Sequence, residues 1–198
     1  GSYSEIKPLS EKDLSAKIDN IFLMPKEQTL FALGFRGVTV KNEDRYGLEV
    51  ISSIMSGSDG RIFHSVRNNL GLSYAQGAGQ VAGVDPGYFF FYLATDKKDL
   101  NKAKELVLAE ISRIKKEPLP DAELSAAKNS LIGDYLISMQ TNSAKAFTMA
   151  LDELYSLGFD NHLKYNENIE KYSKSDIIKL ANTYFDLNKS CSVTIEPE

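Results

Sequence analysis

Residues 73–95 read SYAQGAGQVAGVDPGYFFFYLAT. The segment from Ser73 to Ala82 is extended and carries the small residues Ala75, Gly77, Ala78 and Gly79. Val84-Asp85-Pro86-Gly87 has turn chemistry, because proline presets φ and glycine tolerates a sharp reversal. Tyr88 to Thr95 is an aromatic and apolar run of the kind that favours a strand. Together, Tyr74 to Thr95 predict a β-hairpin. Upstream, Thr29 to Phe35 is short, apolar and aromatic, and reads as a buried strand. Asn42-Glu43-Asp44 opens a helix that runs to about Ser56, with acids in its first turn. Ile62, Phe63, Val66 and Leu70 mark a short helix that Gly71 is placed to end.

Downstream, Asp96 to Glu117 is an amphipathic helix, with Leu100, Ala103, Leu106, Val107, Ile111 and Ile114 on one stripe. Pro118 and Pro120 stop it, and Pro120 suits the first position of the next helix. A third helix is expected from about Ser143 to Leu157, ending at Gly158. Ser173 to Asp176 fits a Ser-x-x-Asp capping box opening a helix through Phe185. Cys191, Val193 and Ile195 alternate with Ser192 and Thr194, a half-buried strand. The order β-α-α-β-β-α-α-α-α-β does not interleave strands and helices regularly. It predicts an α+β fold of two layers, a largely antiparallel sheet with helices packed on one face. Residues 1–20 read as a linker or tag and edge segment, and residues 21–198 as one domain.

The chain has 198 residues, with 23 Lys and Arg against 27 Asp and Glu, a formal charge of −4. A chain of this size buries roughly 70% of the surface it exposes when unfolded, so it needs no metal or disulfide to fold. The charge balance argues against a nucleic-acid partner. No apolar run approaches the length of a membrane span. The single cysteine, Cys191, allows no internal disulfide and no thiolate zinc site. Gly1-Ser2 reads as a cloning scar, and no signal peptide is recognised. The expectation is a soluble protein, cytoplasmic or, if an upstream signal has been removed, exported.

Few residues can carry chemistry. The two histidines, His64 and His162, are far apart and belong to neither H-E-x-x-H nor H-x-x-E-H, so no catalytic zinc is expected in this chain. Gly77, Gly79 and Gly83 have the wrong last spacing for a dinucleotide fingerprint and run into a turn instead of a helix. A strand close to another backbone explains them better. No G-x-S-x-G elbow is present. The remaining feature is Arg67 to Tyr74. Arg67 falls in the last turn of a helix, Gly71 reverses the chain, and Tyr74 opens the next strand. A guanidinium suits a carboxylate or a peptide carbonyl, and a phenol can donate to a developing oxyanion. The plainer reading is that Arg67 complements a helix C-terminus and Tyr74 packs on the core.

These residues also carry a resemblance. Leu33 to Gly37, Gly57 to Arg67, Leu70 to Tyr74, Asp85 to Phe89, Glu123 to Lys128 and Ser173 to Ile177 follow one another as in a known family. Over about residues 22 to 196 the sequence resembles the C-terminal, non-zinc domain of pitrilysin, insulinase and mitochondrial-processing-peptidase zinc metallopeptidases. The loop from Ser56 to Arg61 departs from the family's glycine-rich run, with Asp59-Gly60 before Arg61. The resemblance implies a substrate-binding half of a zinc endopeptidase. Arg67 would hold the substrate backbone or its carboxylate end, and Tyr74 would donate a hydrogen bond to the scissile carbonyl. Zinc and the base would come from a homologous zinc-bearing domain or subunit, which with the peptide substrate makes up the implied partners. This segment alone would then be inactive. The alternative is a non-catalytic structural relative without peptidase activity.

Overall fold

The structure, a computed structural model, describes residues 12–57, 59–68, 73 and 75–198. Among these residues, strands β1 (Ile18–Met24), β2 (Thr29–Arg36), β3 (Ala75–Val81), β4 (Tyr88–Thr95) and β5 (Ser190–Pro197) form one sheet in the order β1-β5-β2-β4-β3. Only the β1–β5 pair is parallel. Helices α1 (Asp44–Met55), α2 (Leu100–Lys116), α3 (Asp121–Ser138), α4 (Asn142–Leu154), α5 (Tyr165–Glu170) and α6 (Lys174–Tyr184) complete the chain. The architecture is the expected α+β, with helices on one face of a largely antiparallel sheet. No helix among the described residues is long and apolar enough to cross a membrane.

The core follows from the period of two along the strands. Phe31, Leu33 and Phe35 of β2 stand opposite Leu93, Phe91 and Phe89 of β4, and all six are buried on the helix side. Phe185, at the end of α6, drops into this layer. Its ring centroid lies 4.8 Å from that of Phe89, 5.3 Å from Phe35 and 5.4 Å from Phe91. The tilted rings are a favourable aromatic arrangement.

The hairpin is present, with Gly77 opposite Tyr92 and Gly79 opposite Phe90. A Cβ at Gly83 would stand 2.4 Å from the Asp85 backbone oxygen, a close backbone as expected, but Gly77 and Gly79 have a different cause. A Cβ at Gly79 would stand 2.8 Å from the Phe90 ring. A ring, not another backbone, crosses the strand there. The free edge of β3 is covered by α1: Ser56 Oγ accepts from the Ala78 N–H at 2.6 Å and donates to the Ala78 carbonyl at 2.7 Å. This contact satisfies backbone groups that an open edge would leave for another chain.

Four local expectations are corrected. Strand β1 is regular, although its sequence shows no clear period. All seven of its residues are exposed, so no burial pattern marks them. In β5 the buried residues are Ser190, Ser192 and Thr194, while Cys191, Val193 and Ile195 are half-exposed on the other face. The buried hydroxyls have partners: Lys104 of α2 donates to Thr194 Oγ1 at 2.9 Å, Ser192 donates to Asp19, and Ser190 donates to the Leu187 carbonyl at 2.9 Å. Pro120 is the N-cap of α3, in extended conformation, instead of its first helical residue. Helix α4 ends at Leu154, before Gly158, because Ser156 takes the left-handed conformation at φ 57°. The Leu157 N–H then closes onto the Asp152 carbonyl at 2.8 Å.

The Ser173 capping box forms as read. Ser173 Oγ accepts from the Asp176 N–H at 3.3 Å, and Asp176 accepts from the Ser173 N–H at 2.8 Å. Hydrogen bonds from the Ser173 side chain and then its backbone hold the Asp176 carboxyl below its ordinary value. Its contribution to stability is therefore present above the ordinary carboxylate range and is lost as pH falls through the lowered value. Ser173→Ala should lower stability by about 1 kcal/mol, read as a shift of the urea midpoint at unchanged slope. Asp176→Asn should destabilise at neutral pH and lose its effect in acid, where the parent carboxyl is protonated too.

Candidate functional site

Between α1 and β3 the chain forms a π-helical segment, Phe63–Asn68, preceded by a turn in which the Gly60 N–H bonds the Gly57 carbonyl at 3.3 Å. A π turn is wider than an α turn, is rare, and is frequently found at functional sites. The spacing of four divides its side chains. Ile62 and Val66 are fully buried, while His64 and Arg67 are exposed and Phe63 is half-buried. The Arg67 guanidinium lies 5.5 Å from the centroid of the Phe63 ring, which sits beneath it as a platform. An arginine on an aromatic face gains about 0.5–1 kcal/mol at an exposed site.

Two acids hold this segment from below. Ser65 donates to the Glu110 carboxylate of α2, which also accepts from Arg113 Nη1 at 3.0 and 3.1 Å. Arg61 meets Glu123 of α3 with two parallel bonds, Nε to Oε1 at 2.6 Å and Nη2 to Oε2 at 2.8 Å. The Arg61 side chain is 8% exposed, and its buried Nη1 finds no hydrogen-bond partner among the described residues. Glu117, and then Glu110, hold the Arg113 guanidinium above its ordinary value. Beyond the segment, Ser73 is buried and donates to the Ala94 carbonyl at 2.8 Å, fixing the entry to β3.

The sequence-predicted site residues fare unequally. Arg67 is at the surface, in the last turn of its helical segment. Tyr74 and Gly71 lie outside the described residues. A cleft of about 800 Å³ lies behind the segment, walled by Ser56, Arg61, His64, Glu110, Glu123 and Asp134 among others, and Arg67 does not line it. His162 lies elsewhere, with Nδ1 at 3.0 Å from the Phe159 carbonyl and 3.5 Å from Asp152.

The described residues do not fit a catalytic zinc. No three His, Cys, Asp or Glu side chains among them are grouped so as to hold a metal ion. The sequence reading missed Glu110 and Glu123. Glu110 had a signal: an acid between Val107, Ile111 and Ile114 on a buried stripe calls for a buried partner. Glu123 had none, because its partner stands 62 residues away.

Comparison with known proteins fixes the family. Residues 4–131, about two-thirds of the chain, match the family described as peptidase M16 inactive domain. An uncharacterized zinc protease of Bacillus subtilis, YmxG, is 27% identical over 129 residues, covering 65% of this chain and 32% of that protein. This chain thus spans about a third of the length of that curated relative. Two solved structures share the fold. A protease from Helicobacter pylori superposes with a TM-score of 0.88 at 20% identity, over all of this chain and 48% of that one. A peptidase M16 inactive domain from Pseudomonas fluorescens gives 0.88 at 19% identity, over all of this chain and 47% of that one. The segments of sequence, the one-sided sheet and the family match agree: this chain belongs to the peptidase M16 inactive domain family.

Proposed function

We propose that this chain is the substrate-binding half of a zinc endopeptidase, with zinc and general base supplied by a homologous zinc-bearing domain or subunit. The observation that carries this reading is Arg67, an exposed guanidinium on a π-helical segment tied into two helices. It matches the arginine of the family's arginine–tyrosine pair, and Tyr74 matches the tyrosine seven positions on. Arg67 holds the substrate backbone or its C-terminal carboxylate through its planar fork of donors. The Tyr74 hydroxyl donates to the scissile carbonyl as charge develops on it.

A second feature supports dependence on a partner. Among the described residues, nothing covers the sheet face away from the helices. Ile18, Phe22, Leu30, Val81, Tyr88 and Tyr92 stand exposed on it, with exposures of 39–52%. Register places them together: Phe22 beside Ile195, Ile195 beside Leu30, and Val81 beside Tyr88. Apolar patches of this extent mark interaction sites. The occupant we assign is the zinc-bearing half, since the curated relative is about three times as long as the part this chain matches.

Mixing the chain with a separately produced zinc-bearing half should generate peptide hydrolysis that neither shows alone. Equal turnover by the zinc-bearing half without this chain would sink the reading. Tyr92→Glu should prevent co-elution of the two halves while leaving the circular dichroism of the single chain unchanged. Retained co-elution would remove the sheet face from the interface.

A further inference from the structure

We propose that Glu110 and Glu123 are positioning residues for Arg67, clamping the π-helical segment from α2 and α3 so that the guanidinium stands at a fixed point. The inference rests on the reading of Arg67 as a substrate-binding residue. Six residues of π helix do not sustain themselves, because short helices are marginal and the wide turn is less favourable still. The shape must be imposed from outside. Ile62 and Val66 supply apolar anchors, and beside each stands a polar one, Arg61 and Ser65.

Stability alone does not call for these acids. Glu110 occupies a buried position, with 5% of its side chain exposed, on an otherwise apolar stripe of α2. A buried ion pair is often replaced by apolar residues at no loss of stability. What both pairs share is location. They anchor the chain at residues 61 and 65, just before and within the segment, and leave Arg67 exposed over the half-buried Phe63. A charge-assisted, bidentate pair fixes geometry as well as energy. It holds the Arg67 Cα in place, and the Phe63 ring then limits where the guanidinium can swing. An arginine so held loses less rotamer freedom when it takes a carboxylate.

The test starts with the single chain. Ser65→Ala removes the donor to Glu110 at a half-exposed position, so it should fold even where Glu110→Ala does not. Amide hydrogen exchange over residues 63–68 should be about tenfold faster, the effect of losing a hydrogen bond to a charged acceptor. Ser65→Thr, which keeps the hydroxyl, should restore most of the protection. Glu123→Gln should loosen the same amides through Arg61. Unchanged exchange in both Ser65→Ala and Glu123→Gln, or no rescue by threonine, overturns the inference. In the assembled pair of halves, Ser65→Ala should raise the peptide KM about tenfold with kcat changed little, a split that loss of fold would not give. Faster exchange with unchanged KM upholds the clamp and instead overturns the substrate reading of Arg67, so the two failures are distinguishable.

Discussion

Phe185→Ala is expected to lower the stability of this chain by about 3–5 kcal/mol, the cost of emptying a large aromatic site in a packed core. Phe185 is fully buried and touches the rings of Phe35, Phe89 and Phe91, which belong to two strands. The cavity would lie where α6 meets the sheet, and its walls are rigid strand residues that collapse poorly. A domain of this size is stable by about 5–15 kcal/mol, so the loss is a large part of the whole. Urea unfolding should show the midpoint shift. Phe185→Leu, which refills much of the volume, should cost clearly less. Val84→Ala, at a residue 66% exposed, should stay within about 0.5 kcal/mol of the parent. Equal midpoints for Phe185→Ala and Val84→Ala would show that the aromatic layer does not carry the core.

If the chain works as the proposed half of a peptidase, Tyr74→Phe in the assembled pair should lower kcat by about 10²–10³ with KM little changed, the usual effect of removing one oxyanion donor. The asymmetry follows because the hydrogen bond strengthens only as the carbonyl oxygen gains charge. Arg67→Ala should differ in kind. On the proposed reading its contact with the substrate is made already in the ground state, so KM should rise as well. Steady-state kinetics on one peptide, with both variants at matched zinc content, separates the two roles. Unchanged kinetics in both would favour a structural relative without chemistry.

The helical layer was legible because its signals are local. Ser173 and Asp176 sit three residues apart and cap α6 as read, and the Pro86-Gly87 turn placed the hairpin. Arg67 was placed at a helix end by the same local logic. The β5 strand shows where that logic stops. Alternation gives two faces but not which one meets the helices. Lys104 and Asp19 decide it by pairing with Thr194 and Ser192 from distant parts of the chain. Strand β1 is similar, since its exposed residues carry no periodic burial and only β5 beside it makes it a strand. The site has the same division. Type and spacing left Arg67 between a helix-end charge and a binding group, and only the resemblance gave it a role, whereas the π character of its segment depends on α2 and α3.

The pairing of β1 with β5 bears on the order in which this chain is made. Ile18 aligns with Cys191 and Met24 with Pro197, and β5 alone fills the gap between β1 and β2. Within this fold, β5 leaves the ribosome after the other four strands of the sheet. Until then β2 has one bare flank, with Phe31 and Leu33 beside it, and β1 has nothing to dock on. Contacts so distant along the chain form slowly. Nascent chains halted before about residue 190 should therefore bind chaperones that recognise unpaired apolar strands, and release should coincide with emergence of β5, Ser190–Pro197.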